Sequence, residues 1–540
     1  SWIKIEKCLV TFVFRAVASS PSAVPSKPFL RPSLFSNVPP TILFYVKGAK
    51  VAKPNKSVCS KLTWCHNSLL PIVMRQCLSA SHFKVVDENS KWIGYWGRHL
   101  KSVQYKTIQP YQKAKIFLSS DFVWEFQVNH FPGAFHMGRK DRLWQHIQEM
   151  MDLWGEDEYC IMPTTYILPR EMKKLKEYLH SSKHRNVIVK PPASARGTGI
   201  TIASRVRQIP AKTPLVAQHY LERPLLINGA KFDLRLYVHI PCLDPLRIYY
   251  YKEGLVRFAS VPYSSTPSSY SNKFIHLTNY SINKFAESAG ERTSPVPKWR
   301  VNELWDYMAK DHDVPLLQKR IIDVIIKAVL ACENSIRAHQ KKHSPYSFTS
   351  HELYGMDILI DEDLKPWLLE VNISPSLHSG TPLDISVKAP LAKDVLNLCG
   401  VQIPPQQSGH SSLSIDYGVK PFHGLKTKED LSKEEFHISY YNRCKIIDPG
   451  ILDELTPSDV RTLVDFEDEL TRVGSFELIF PTVETERYTK YFNEILYSNL
   501  LLMYWQKVYS EDRGRGRKIL DELCKEGLHH SDISIEQFAQ

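Results

Sequence analysis

Glu370 and Asn372 stand two residues apart in the apolar run PWLLEVNI (366–373). In a strand that spacing puts both side chains on one face. Asp357 lies in the preceding run GMDILI (355–360), and the Asp361-Glu362-Asp363 turn folds the two runs into a hairpin on which the three residues converge. Two carboxylates and an amide oxygen are hard donors, suited to a Mg²⁺ ion that keeps waters and phosphate oxygens in its shell. Beside Leu368, Leu369 and Val371, unpaired carboxylates are costly, so a cation partner is expected. A salt bridge, or simple solvation at a sheet edge, would meet the same need.

Two further segments are rich in fixed cations. In KPPASARGTGI (190–200), Gly197 and Gly199 precede a strand, Lys190 ends another, and Arg196 sits inside the loop. Small residues let backbone N–H groups approach phosphate oxygens; an ordinary β-turn has the same composition. No G-K-[ST] follows, so the loop is not a Walker A motif. In KFDLRLY, Lys231, Asp233 and Arg235 share one strand face while Phe232, Leu234 and Leu236 occupy the other. That row is either a solvated sheet face or an anion site, and Arg257 in GLVRFAS supplies another guanidinium, a group whose planar fork suits phosphate and carboxylate. No G-x-S-x-G and no H-R-D…D-F-G set is present, and no Cys has an obvious His partner, so covalent nucleophiles and ordinary protein kinases are disfavoured. Cations around a phosphate loop, with oxygen ligands opposite, describe phosphoryl transfer.

The elements that must position these groups are legible as short runs. VIVK (187–190), GITIASR (199–205), LVAQHYL (215–221) and FDLRLYVHI (232–240) read as strands. RIYYY (247–251) and LVRFAS (255–260) read as a hairpin turning at Lys252-Glu253-Gly254,. EMKKLKEYLHSS (171–182) and 315–340 read as helices, the latter with Ile321, Ile322, Val324, Ile325, Val329 and Leu330 as its apolar stripe,. Residues 1–90, with PSAVPSKP and RPSLFSNVPP, read as disordered or incompletely defined, and because the chain opens on Ser rather than Met its true start is expected to be missing or processed,. Residues 402–430 read as a linker and 431–525 as a charged helical extension.

Charge divides along the same lines. The net +12 combines 12 bases and one acid in residues 1–86, 44 and 35 in 87–430, and 13 and 21 in 431–540. The last segment's RGRGRK (513–518) is either a docking patch or a solvated helix end,. No apolar run is long enough to span a membrane,. The ten Cys form no C-x-x-C pair, which disfavours a zinc module or disulfide framework,.

Taken in order, GRKD (138–141), KPPASARGTGI, AQHYLERPLLINGAKFDLRLYV (217–238), EGLVRFAS (253–260), NKFIHLTNYSINK (272–284), YGMDILID (354–361) and PWLLEVNISPSL (366–377) resemble the tubulin tyrosine ligase-like family. NHFPG (129–133) with KPPASARG is most similar to its polyglutamylases of the member-four type. The resemblance implies an α+β or α/β ATP-grasp core: an N-terminal subdomain (91–139), a central subdomain (140–219) and a C-terminal subdomain (220–400), followed by the linker, the extension and a tail (526–540). It implies ATP held by Lys140, Lys190, Arg196, Gly197, Lys231, Phe232, Asp233, Thr278 and Asn279, with Gln218, His219, Tyr220 and Leu221 as an adenine-side hinge. Mg²⁺ would sit on Asp357, Glu370 and Asn372. Arg257, Tyr280, Ser281, Lys298 and Lys388 would surround the incoming amino acid or acceptor, with Arg235, Arg257 and Glu370 serving catalysis.

The implied reaction makes an isopeptide bond between free L-glutamate and glutamate side chains in acidic tails of tubulin or other acidic proteins, through an acylphosphate. The implied setting is a cytoplasmic, cytoskeletal monomer, at cilia or basal bodies too, without nucleic acid or membrane partners. A glycine or tyrosine ligase of the same family, or a non-catalytic scaffold that binds microtubules or acidic proteins, is the alternative.

Overall fold

The computed structural model describes residues 26–66, 70–88, 90, 92–102, 104–105, 127–181, 185–194, 197–290, 298–344, 349–403 and 426–530. Three sheets of four or more strands, beside a two-stranded one (Leu30–Arg31 with Thr41–Ile42), organise it into an α+β fold. The first is parallel, with β1 (Thr63–His66), β2 (Lys84–Val86), β3 (Gly94–Trp96) and β4 (Gln127–Val128) in the order β2-β1-β3-β4. Helix α1 (Ile72–Ala80) makes the β1–β2 crossover.

The reading of residues 1–90 as disordered is therefore corrected from Ser26 onward. Leu62, Trp64, Met74 and Leu78 are fully buried in a shared core. The Pro- and Ser-rich chain before them is held by remote partners. Ser33 Oγ and Leu34 N donate to the Asp468 carboxylate at 2.6 and 2.8 Å, and Ser36 N donates to Asp521 at 2.8 Å. Composition missed this because the ordering groups lie more than 400 residues away.

Helix α2 (Lys140–Trp154) buries Leu143, Trp144 and Ile147 in the largest core cluster rather than against the second sheet. That second sheet is antiparallel: β5 (Thr165–Leu168), β6 (Val187–Lys190), β7 (Thr201–Ala203) and β8 (Leu215–His219), ordered β5-β8-β6-β7. Helix α3 (Met172–His180) covers one face, where Leu175 and Leu179 pack on Val187, Val189, Leu215 and Ala217. Alternation along β6 sends Ile188 and Lys190 to the opposite face,.

The third and largest sheet has β9 (Ala230–Ile240), β10 (Ile248–Phe258), β11 (Lys298–Arg300), β12 (Glu352–Ile360) and β13 (Pro366–Asn372) in the order β11-β10-β9-β12-β13. Its long covering helix is α4 (Val314–His343), which starts where the Asp313 carboxylate accepts Leu316 N–H at 3.0 Å and ends on Lys341, Lys342 and His343, in keeping with capping and the helix dipole. The expected hairpin within 247–260 does not form: β10 runs unbroken through Lys252-Glu253-Gly254. At that point its register against β9 jumps from Tyr250↔Val238 to Gly254↔Leu236, and its outer neighbour changes to β11. Gly254 is there for close approach, since a Cβ would lie 2.7 Å from the Arg235 carbonyl oxygen. The β12–β13 hairpin does form, pairing Asp357 with Glu370 and Gly355 with Asn372. Asp361 holds its turn, accepting N–H bonds from Asp363 and Lys365 at 3.0 and 2.9 Å.

After α5 (Pro382–Leu398), the chain continues through α6 (Lys428–Cys444), α7 (Pro457–Leu470), β14 (Phe476–Phe480), α8 (Tyr497–Tyr509) and α9 (Arg513–Lys525). This stretch is not a detached extension, because β14 pairs with β10 and its helices join the main core. The linker falls largely outside the described residues.

RGRGRK is likewise corrected in part. Arg513 and Arg517 turn inward onto fully buried Glu467 at 2.8 and 2.9 Å, and Trp505 Nε1 donates to the same carboxylate at 2.9 Å. Glu467→Leu would strand two guanidiniums, and it is expected to lower unfolding free energy by about 2–4 kcal/mol in urea melts. A loss below about 0.5 kcal/mol would show that Glu467 does not hold α7, α8 and α9 together.

Candidate active site

Where the inner face of the small sheet meets the edge of the large one, two lysines are buried without a carboxylate of their own. Lys190, at the end of β6, is 6% exposed and donates to Gln218 Oε1 at 2.8 Å. Lys231, at the start of β9, is 6% exposed, donates to the Tyr220 hydroxyl at 3.1 Å and lies 4.5 Å from that ring's centre. Burial lowers Lys190 to about 8 and Lys231 to about 7. The acids around them are committed elsewhere, as the next contacts show. Buried ammonium groups with only neutral partners are costly, and an anion entering the pocket they line removes that cost.

Asp233 takes two bonds from Arg257, at 2.7 and 2.5 Å. Asp357 takes Arg235 Nε at 2.6 Å and Arg257 at 2.8 Å. Register explains the quartet: Asp233 faces Arg257 across β9–β10, and Arg235 faces Asp357 across β9–β12. Burial alone would raise the Asp357 carboxyl, but the two guanidiniums outweigh it and hold it well below the ordinary carboxylate range,. Glu370 pairs with Lys140 Nζ at 2.9 Å, and Lys140 also donates to the Ser194 carbonyl at 3.1 Å, tying α2 to the loop after β6.

The salt-bridge alternative for the hairpin acids is thus realised in part. The donor set still suits Mg²⁺. Glu370 and Asn372 also line the cleft beside the pocket, and Asn372 uses its Nδ2 on the Gly355 carbonyl at 3.2 Å, leaving Oδ1 to coordinate. Glu370 pairs through Oε2, and carboxylate oxygens have lone pairs to spare.

Most residues expected at the nucleotide converge on this pocket: Lys190, Gln218, His219, Tyr220, Leu221, Lys231, Asp233, Thr278 and Asn279, with Asp357 and Glu370. Two others reach it indirectly, Lys140 through Glu370 and Gly197 through Asn279. Gly197 has φ +74°, and a Cβ there would lie 3.0 Å from Asn279 Oδ1 and closer still to Ile282. Arg196 lies outside the described residues. Phe232 is corrected: its side chain is 1% exposed in the main core, its ring tilted against Phe258, because alternation on β9 turns it away from Lys231 and Asp233. His276 was missed; its Nδ1 bonds the Tyr220 hydroxyl at 2.7 Å.

An adjoining cleft of about 890 Å³ gathers the other expected residues: Arg235, Arg257, Tyr280, Ser281, Lys298 and Lys388. Lys298 and Lys388 share Asp384 at 3.1 and 2.9 Å, and Lys298 lies 3.7 Å from the Tyr280 ring centre. Asp384 and Lys284, which also line the cleft, were missed; the i,i+4 spacing of Asp384 and Lys388 was the available signal.

Two buried cations facing a pocket, beside a carboxylate–amide hairpin and a cationic cleft, form a site whose charge suits a polyanion and a second anionic group. Sequence comparison agrees. Residues 123–411 match the tubulin-tyrosine ligase family, and the chain belongs to that family. It is 54% identical over 512 residues to tubulin polyglutamylase ttll-4 of Caenorhabditis briggsae, covering 94% of this chain and 83% of that one. Human tubulin monoglutamylase TTLL4 is 40% identical over 526 residues, 94% of this chain and 42% of that protein. Mouse tubulin polyglutamylase TTLL5 is 34% identical over 474 residues, 83% and 34% respectively.

The lysine shifts give a signed expectation. Both groups hold protons less tightly folded than unfolded, where the value is 10.5. They therefore lower stability below about pH 7–8, and the deficit fades as pH rises toward 10.5. A bound triphosphate raises both pKa values, so its binding takes up protons. Calorimetry of ATP binding at pH 8.5 in buffers of different ionisation enthalpy is expected to show uptake of about one proton or more, reduced in Lys190→Met and Lys231→Met. Zero uptake in the unsubstituted protein would refute the assignment.

Proposed function

We propose that this protein is an ATP-dependent glutamate ligase that builds glutamate branches on acidic segments of tubulin, and so acts at the cytoskeleton. The observation that carries the reading is the pair of buried lysines with no carboxylate of their own, set against the Asp357–Glu370–Asn372 hairpin. A scaffold has no use for buried, uncompensated cations.

In this reading the small sheet and the large sheet are the two halves of an ATP-grasp, with nucleotide between β6–β8 and β9–β12–β13. Lys190 and Lys231 take the phosphates, and Gln218 to Leu221 line the adenine side. Asp233, Thr278 and Asn279 flank the ribose and phosphates. Glu370 and Asn372, with Asp357, would hold Mg²⁺, which supplies charge neutralisation at the transferred phosphoryl group when bound.

An acceptor γ-carboxylate oxygen attacks the γ-phosphorus of ATP and ADP leaves, which gives a mixed carboxylic–phosphoric anhydride. The amine of free L-glutamate then attacks the acyl carbon, loses a proton and expels phosphate, leaving an isopeptide bond. Arg235 and Arg257 are placed to steady the carboxyl oxygens as charge crowds there. Their mutual carboxylates, Asp233 and Asp357, fix both forks in place before substrate arrives, so little reorganisation is needed at the reacting centre. Lys298 and Lys388, in excess over Asp384 by one charge, suit the carboxylates of free glutamate.

The test is incubation with ATP, Mg²⁺ and labelled Glu, Gly or Tyr on tubulin. Glutamate incorporation is expected, and Glu370→Gln is expected to lower it at least about a hundredfold with an unchanged melting temperature. Incorporation of glycine or tyrosine in its place, or a fully active Glu370→Gln protein, would overturn the reading.

A further inference from the structure

Two stretches of the folded chain carry most of its excess positive charge: residues 26–86, with nine Lys and Arg and no acid, and one small module built on the second sheet. Between Thr165 and His219 the chain has eleven Lys and Arg but only two acids, Glu171 and Glu177. Lys190 is spent inward on the nucleotide pocket. Arg170, Lys173, Lys174, Lys176, Arg205 and Arg207 are all exposed, and so are Arg185 and Lys212. They sit on α3, on the 3-10 turn Val206–Gln208 that packs beside it, and on the adjoining loops.

This is the outer side of the small sheet. Leu175, Leu179 and Val206 face inward onto Val187, Val189 and Ala217, so the lysines point away from the pocket that Ile188, Lys190 and Gln218 line from the sheet's other face. ATP bound in that pocket cannot neutralise them. Nor does the protein: among the described residues the one ion pair on this face is Lys174–Glu171 at 3.6 Å. Arg513 and Arg517, by contrast, are matched by Glu467.

We propose that the outer face of the small sheet, α3 with the 206–208 turn, is a docking surface for an acidic polypeptide segment outside the catalytic cleft. The choice of a polypeptide rests on the proposed function. Two observations favour it over nucleic acid. First, its half-buried tyrosines offer no free platform for a base: Arg185 lies 4.7 Å over the Tyr178 ring and His219 stacks on it at 3.9 Å, while Tyr166 packs into the cluster beneath α3 with its hydroxyl on His219,. Second, residues 431–540 carry 21 acids against 13 bases, a field that repels an extended polyanion but leaves a short acidic segment free to settle on the basic module. An enzyme working on one glutamate in an acidic tail gains by holding neighbouring stretches, because tethering raises the tail's effective concentration at the cleft.

The experiment uses the full chain with Lys173→Glu, Lys176→Glu and Arg207→Glu combined, beside a conservative control of Lys173→Arg, Lys176→Arg and Arg207→Lys. Binding of a polyglutamate peptide of about 20 residues is measured by fluorescence anisotropy at two salt concentrations, with a single-stranded oligonucleotide as the second probe. The charge-reversed protein is expected to bind polyglutamate about tenfold more weakly at low salt and to raise the KM for tubulin by at least about fivefold. The conservative control is expected to match the unsubstituted protein. Transfer onto a single short acceptor peptide, and the melting temperature, should not change. Unaltered polyglutamate affinity would overturn the proposal, as would a loss confined to the oligonucleotide. If the unsubstituted protein transfers no glutamate but binds polyglutamate in a way the reversal abolishes, the docking surface stands and the proposed chemistry falls.

Discussion

Two ammonium groups, Lys190 and Lys231, are held in the protein interior by neutral oxygens while every nearby carboxylate is engaged elsewhere. Much of the surrounding architecture makes that arrangement possible. The small sheet supplies Lys190 from one strand end and Gln218 from its neighbour. The large sheet supplies Lys231, and its register pins Asp233 and Asp357 onto two arginines. Without the arginines those acids would neutralise the lysines, and the pocket would lose its affinity for phosphate. In the proposed reading, stability given up locally becomes binding energy when the nucleotide arrives.

The same logic separates the two halves of the site. In the pocket, charge is uncompensated and sheltered. In the cleft, Lys298 and Lys388 are shared with Asp384, in a larger space of about 890 Å³. In the proposed reading the narrow pocket with free cations suits a triphosphate, and the larger cleft suits an acceptor that enters as part of a protein chain. The seam between them is the β12–β13 hairpin, where Glu370 lines both spaces.

Much of the site was legible in the sequence because strand alternation is a local rule. The i, i+2 spacing of Glu370 and Asn372, and of Lys231, Asp233 and Arg235, placed these residues correctly without knowledge of the fold. The same rule, applied strictly, turns Phe232 away from the nucleotide, so including it followed the family motif rather than the geometry. What could not be read depended on distant partners. The Ser33–Asp468 bond orders a Pro-rich segment across the molecule, the change of neighbour from β14 to β11 turns an apparent hairpin at Gly254 into one strand, and Glu467 converts a basic run into core packing. Charge totals misled in the same way, since the average hides a basic N-terminal stretch, a basic small-sheet module and an acidic segment over residues 431–540.

The central claim is that this site activates an acceptor carboxylate by phosphorylating it. The most direct measurement uses an acidic acceptor peptide whose γ-carboxylate oxygens carry ¹⁸O, with ATP and unlabelled glutamate, followed by mass analysis of the phosphate released. Phosphate carrying one ¹⁸O atom per isopeptide bond formed is the result expected. Isopeptide formation with unlabelled phosphate would contradict it.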